Sequence, residues 1–460
     1  MKRSYEIDMC NGPLLGKILR FSIPLMLSGV LQLLFNAADI VVVGQFTGST
    51  ALAAVGSTGA LNNLIVNIFM GLSIGSSVIV AQYYGAQDWK NVHDVVHTSM
   101  LISAISGIVL IFIGVPLTAP LLELMGTPED VLDQAVLYMS IIFAGMPALM
   151  VYNFGAAILR AVGDTGRPLI FLLVAGIINV ILNLIFVIIF HMGVAGVALA
   201  TLISQCISAA LVVLCLMRSE GYYRLYLRDL RISKEKLFQI MRVGIPAGVQ
   251  GAVFSISNVL IQSSINSFGS IAIAGNTAAS NIEGFVYTCM NSLYQASLSF
   301  TSQNIGARKI KRLVPILVRC LSCVVVIGVG LSSIVLIFGS QLLGIYSSDP
   351  EVIQFGLSRF WVVCLTYFLC GMMDVICGSI RGMGYSVTPT IVSLASVCGF
   401  RILWIYTIFL INRSLFSLYL SYPISWGLAF IVHFICFIVF YRRWKQKEAA
   451  WAAKDQSTTK

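Results

Sequence analysis

The chain has 460 residues, 58% of them hydrophobic and only 10% charged, with a mean hydropathy of +0.90. A water-soluble domain carries about a quarter charged residues, so a soluble globular protein is excluded and lipid is the solvent for most of this chain. The net charge of +10 raises nucleic acid as a partner, but the placement of the basic residues argues against it.

A membrane-crossing helix needs about 20 apolar residues. Twelve stretches qualify: 17–45, 51–82, 95–117, 136–160, 168–190, 193–217, 238–267, 271–303, 313–343, 356–380, 388–410 and 416–441. Spanning strands would alternate apolar and polar residues, whereas Ile177 to Phe190 is apolar on every side. The expected fold class is an all-α integral membrane protein.

Basic residues fall in alternate loops. Lys2, Arg3, Lys17 and Arg20 lie before or at the start of the first span; Arg160 and Arg167 lie at or beyond the end of the fourth; a run from Arg218 to Arg242 follows the sixth. Arg308, Lys309, Lys311 and Arg312 follow the eighth, Arg381 the tenth, and Arg442, Arg443, Lys445 and Lys447 the twelfth. The opposite loops hold Glu123, Glu129, Asp130, Asp133, Asp349 and Glu351, with Arg413 as the exception. This asymmetry predicts cytoplasmic N- and C-termini, and makes the basic surplus a signal of topology and anionic-lipid contact. No cleaved leader is expected, because the first span is long and lacks a small-residue cleavage site.

The second half repeats the first at a displacement of 221 residues: Gly48 returns as Gly269, Gln82 as Gln303, Gly85-Ala86 as Gly306-Ala307, Arg160 as Arg381, Gly163 as Gly384 and Pro168 as Pro389. Six spans per copy is an even number, so the copies are two parallel repeats. The expected division is 1–217 as an N-terminal six-helix lobe, 218–237 as a cytoplasmic linker, 238–443 as a C-terminal six-helix lobe and 444–460 as a cytoplasmic tail.

Three acids lie well inside spans: Asp39, Glu283 and Asp374. A carboxylate at the bilayer centre costs about 3 kcal/mol on the lenient insertion scale and is a functional candidate by default. Gln32 and Asn36 precede Asp39 at spacings that share one helical face. Asn179 and Asn183 are four apart in span 5, and Thr201 lies in span 6. Together these groups make an oxygen cage suited to Na⁺ or to a proton-linked network; interhelical packing is the alternative for the two asparagines. Asp39 has no acidic counterpart in the second half, where the matching stretch is Asn258-Val-Leu-Ile261. Arg401 is expected to be the deep basic group of the second half, seeking an anionic partner in Asp374 or Glu283.

Weaker patterns resolve blandly. Gly71-Leu-Ser-Ile-Gly75 fits a hydrolase elbow, but sits within a span and is expected to be a small-xxx-small packing face. His93 and His97 share a helical face beside Asp94 and are expected to be solvated rather than zinc ligands. Cys320-x-x-Cys323 lacks a second pair, so metal or redox chemistry is not expected. No nucleotide-binding loop of the GxxxxGK[ST] type appears, so an ion gradient is the expected energy source, with no cofactor.

The motifs Phe21-Ser-Ile-Pro24, Asn36-Ala-Ala-Asp39 leading to Gly44, Ala81-Gln-Tyr-Tyr-Gly-Ala86, Leu159-Arg-Ala-Val-Gly-Asp-Thr165 with Pro168, and Ser302-Gln-Asn-Ile-Gly-Ala307 resemble the MATE (multidrug and toxic compound extrusion) family over about residues 15 to 443. The resemblance implies a V-shaped pair of six-helix bundles that exports bulky, often cationic amphiphiles in exchange for H⁺ or Na⁺, as a monomer in the bacterial plasma membrane. It implies that Asp39 binds the coupling cation with Asn179, Asn183 and Thr201. One branch of the family has an acid where Asn183 stands; another builds a second site from a span 7 glutamate and a span 10 aspartate. Here Asp374 lies near the span 10 position, span 7 has no acid, and Glu283 lies one helix later. Met26, Phe35 and Met70 are candidates for a soft substrate cavity. A flippase for lipid-linked sugars, a non-transporting membrane scaffold and an intramembrane enzyme remain as other classes. The first needs a strongly cationic cavity, the second leaves Asp39 unexplained, and the third lacks a catalytic set.

Overall fold

The structure, a computed structural model, describes residues 5–458, apart from the side chains at positions 49, 57, 60, 63, 64 and 452–458. Lys2 and Arg3, used above for topology, lie outside the described residues. Among those described there is no strand. The first half comprises α1 (Leu14–Phe46), α2 (Ser49–Gly85), α3 (Trp89–Leu124), α4 (Glu129–Ala144), α5 (Met146–Ala161), α6 (Gly166–Leu184) and α7 (Gly193–Arg218). The second comprises α8 (Lys234–Asn266), α9 (Ser270–Gly306), α10 (Leu313–Ile337), α11 (Gly339–Gly344), α12 (Pro350–Arg359), α13 (Tyr367–Gly382), α14 (Val387–Ser393), α15 (Phe400–Tyr406), α16 (Ile408–Ile411) and α17 (Leu415–Thr458).

Among the described residues nine helices are long and apolar enough to cross a membrane, and two bent pairs raise the number to 11. The remaining expected span is α9, which has the length at 37 residues. It falls outside that set because polar residues run along its whole length, from Asn276, Asn281 and Glu283 in the first half to Asn291, Gln295, Gln303 and Asn304 in the second. A helix that polar is held by protein neighbours rather than by lipid.

The repeat is written into backbone geometry. Helices α2 and α9 are both 37 residues long. Each follows a glycine in the same conformation, Gly48 at φ 97° and Gly269 at φ 93°, a region that side chains resist. Each ends near a non-glycine residue at φ 56°, Gln87 and Arg308, again 221 apart. The bent pairs match as well: α4 and α5 meet at 47°, and the α12 segment meets α13 at 45°. The physical causes differ. Pro147 stands at the start of α5 and breaks the hydrogen-bond ladder, whereas a π turn at Phe360–Cys364 precedes α13. Two further π turns, Ile185–Ile189 after α6 and Leu394–Gly399 before α15, adjoin buried polar residues, as such turns often do.

The chain packs as two compact units. One runs to Ile7, resumes at Leu27 and continues to Ala252; the other takes Asp8–Met26 and everything from Val253. Packing therefore divides differently from the expected lobes at 1–217 and 238–443. The linker and the start of α8 belong to the first unit, and the start of α1 to the second. The exchange falls close to Pro24 and Pro246, which lie inside α1 and α8.

In the first unit, Gly71 and Gly75 do serve close helix packing. A Cβ on Gly71 would meet Gly248 N at 2.2 Å and Gly244 O at 2.4 Å, and one on Gly75 would meet Ile240 O at 2.3 Å. Small residues on both helices let the α2 and α8 backbones touch. Phe35 is packing too, since a Cβ on Gly176 would lie 1.9 Å from its ring.

The linker is docked rather than loose. Tyr223 donates to Glu6 Oε1 at 2.7 Å and accepts from Arg167 Nη2 at 3.2 Å, while Tyr84 donates to Glu6 Oε2 at 2.8 Å. Burial, then the Glu6 carboxylate, pushes the Tyr223 hydroxyl up to about 12, so it keeps its proton at neutral pH. Trp89 and Tyr222 stack at 4.3 Å, and Arg231 reaches Asp94 at 3.0 Å. His97 corrects the expected solvated face. It is buried, its Nδ1 lies 2.7 Å from His93 O, and its Nε2 accepts the Tyr226 amide at 3.0 Å. Although His93, His97 and Asp229 converge, both His97 nitrogens are engaged, so the ring anchors the linker. Cys320 and Cys323 are buried in α10 without a disulfide.

Candidate functional sites in the two units

In the first unit four expected residues form one hydrogen-bonded chain. Asp39 sits on the later part of α1, Asn179 and Asn183 one turn apart on α6, and Thr201 on α7. Asn183 Nδ2 donates to Asp39 Oδ1 and also lies 3.3 Å from Asn179 Oδ1. Asn179 Nδ2 in turn donates to Thr201 Oγ1 at 3.4 Å. Both asparagines are buried. The i, i+4 spacing on α6 turns both amides to one side, and the π turn beginning at Ile185 follows directly.

This arrangement suits a small cation. Asn183 spends its Nδ2 on the carboxylate, while its buried Oδ1 has no hydrogen-bond partner. An unsatisfied buried acceptor beside a carboxylate is costly, and a hard cation or a proton-bearing group satisfies it. Gln32 and Asn36 do not join the chain. Both are exposed on α1, since sharing a helical face with Asp39 does not bring them to α6.

The second unit corrects the expected pairing. Glu283 on α9 binds Arg359 at the end of α12, with Arg359 Nε to Oε1 at 3.0 Å and Nη2 to Oε2 at 2.7 Å. Arg359 Nη1 also donates to Asn276 Oδ1 at 2.7 Å. This is a bidentate fork, the strongest arrangement available to the two groups, and both partners are buried. Arg401 is therefore not the sole deep basic group of the second half, and Glu283 is not its partner. Arg359 escaped notice because it lies only three residues inside its expected span, where a snorkelling cation is unremarkable.

Arg401, on α15, pairs with no carboxylate among the described residues. Its Nε donates to Ser425 Oγ at 2.9 Å, and its guanidinium lies 4.1 Å from the Tyr422 ring centre and 5.6 Å from that of Trp426. Asp374 on α13 is half-buried and interacts with Tyr287 and Arg381. The α17 aromatics give no sequence signal as cation partners, because helices rich in Tyr and Trp are ordinary in membranes.

The comparisons with known proteins fit this geometry. The MatE family profile matches twice, over residues 24–185 and 246–407, once per repeat. The probable multidrug resistance protein YoeA of Bacillus subtilis is 28% identical over 93% of this chain and 94% of its own length. An outward-facing multidrug resistance MATE transporter of the MOP superfamily superposes with TM-score 0.89 at 23% identity, over 97% of this chain and 100% of its own. A MOP superfamily transporter from Pyrococcus furiosus, described as having a binding pocket of reverse polarity, superposes with TM-score 0.90 at 24% identity, over the same shares. Matched over well more than half its length and once in each repeat, the chain belongs to the MATE family: a multi-pass membrane transporter, not an enzyme.

Proposed function

We propose that the protein is a secondary antiporter that exports amphiphilic compounds in exchange for H⁺ or Na⁺ bound at Asp39. It sits in a bacterial plasma membrane with both termini cytoplasmic, works as a monomer and needs no cofactor. The observation that carries this reading is the Asp39–Asn183–Asn179–Thr201 chain, with one buried amide oxygen left for a cation. Arrival of H⁺ or Na⁺ at Asp39 changes what Asn183 donates to, and with it the balance between packings of α1 against α6. Coupling follows if the two packings differ in affinity for the exported compound. Each charge moved across 100 mV supplies about 2.3 kcal/mol.

The test is efflux of a cationic dye from reconstituted vesicles, comparing the parent with Asp39→Asn under a proton gradient and a sodium gradient separately. The expected result is efflux by the parent under one gradient, which names the ion, and none by the folded mutant. Normal pumping by the mutant would make Asp39 structural and move coupling to Asp374 or Glu283. A parent inert under both gradients would remove the drug-export reading and bring lipid-linked substrates forward.

A further inference from the structure

Arg401 is 4% exposed, and its Nη2 is buried with no hydrogen-bond partner. A guanidinium does not give up its proton in a protein, so this is a permanent charge inside a span. The two intramembrane acids of this unit face other groups: Glu283 gives both oxygens to Arg359, and Asp374 interacts with Arg381 and Tyr287. Ser425 and two aromatic faces soften the cost without supplying a counter-charge. The surroundings are aromatic as well. Tyr367 lies 5.3 Å and Tyr422 5.6 Å from Trp426, ring centre to ring centre.

We propose that Arg401, seated on Tyr422 and Trp426, binds the carboxylate of an aromatic amphiphile, so that exported compounds carry an acidic group. The assignment rests on the export reading above and narrows its substrate class. A guanidinium fork matches a carboxylate in a plane, and the half-buried Tyr422 offers an aromatic edge to the substrate body. The free Nη2 is the donor a second carboxylate oxygen would take.

The test titrates the full-length protein, in neutral phosphatidylcholine nanodiscs, with a rhodamine free acid and its methyl ester, followed by quenching of tryptophan fluorescence. The acid is expected to bind about tenfold tighter, the equivalent of one charge-assisted hydrogen bond. Arg401→Gln is expected to lower acid affinity about tenfold more than ester affinity. If Arg401→Gln does not fold, Arg401→Lys carries the test, because the charge survives and the fork is lost: acid preference should fall without an equal fall for the ester. Equal binding of the two dyes by the parent, or an equal loss for both in the variant, overturns the assignment. So does loss of the preference in discs containing phosphatidylglycerol, which would give the guanidinium to a lipid headgroup. A retained acid preference without efflux of either dye would sink the export reading and leave the Arg401 subsite standing.

Discussion

Glu283 and Arg359 meet through two parallel hydrogen bonds, at 3.0 and 2.7 Å, inside the second unit. Taking away one member of such a pair strands the other in a low-dielectric interior, at about 3–5 kcal/mol, whereas replacing both by apolar groups can be nearly neutral. Glu283→Ala should therefore lower the thermal midpoint of the detergent-solubilised protein strongly. The double variant Glu283→Ala with Arg359→Met should recover much of the loss. Equal midpoints for the single and double variants would show that the pair has no such role.

Asn183 joins Asp39 to Asn179. A hydrogen bond to a charged group contributes about 1.5–3 kcal/mol, so Asn183→Leu should slow gradient-driven efflux by about tenfold or more. Asn179→Leu, one step removed from the carboxylate, should have the smaller effect. Initial rates at matched protein levels in vesicles decide the order.

At Gly71 the α8 backbone leaves no room for a side chain. Overpacking costs about 1–3 kcal/mol even where side chains can move, and here the obstacle is backbone. Gly71→Val should cut the yield of monodisperse protein and lower its melting temperature. The same change at Gly330, where an added Cβ meets nothing within 4 Å, should do neither.

The linker clasp makes a prediction about proteolysis. Tyr223→Phe removes the hydroxyl shared by Glu6 and Arg167, and His97→Leu removes the acceptor for the Tyr226 amide. Either change should speed tryptic cleavage after Arg224 and Arg228 several-fold, read by gel at neutral pH. Because burial holds the Tyr223 proton in the folded state until about pH 12, against an ordinary value near 10, the clasp's contribution is complete below about pH 10 and falls between about 10 and 12. The Tyr223→Phe variant, with no hydroxyl to titrate, should lack that alkaline loss.

Much of the molecule was legible in the one-dimensional chain. Span length and all-round apolarity follow from the thickness and dryness of a bilayer, so composition alone set the class and the approximate spans. The 221-residue register carried even to backbone detail, as at Gly48 and Gly269, because glycine is the residue that tolerates that conformation. Asp39 with Asn179, Asn183 and Thr201 stood out because buried polar atoms are expensive in lipid and the i, i+4 spacing points two amides together. What tertiary structure alone decided was partnership. Whether Arg401 or Arg359 meets an acid depends on which helices are neighbours, and helical periodicity gives a direction around one axis but no address on another. For the same reason Gln32 and Asn36, on Asp39's face by spacing, remain outside its hydrogen-bonded chain, and His97, polar and near a span end, turned out to be buried under the linker. Pro24 and Pro246 lie inside α1 and α8, yet the assignment of each half-helix to a compact unit came from packing between segments more than 150 residues apart, which no local pattern encodes.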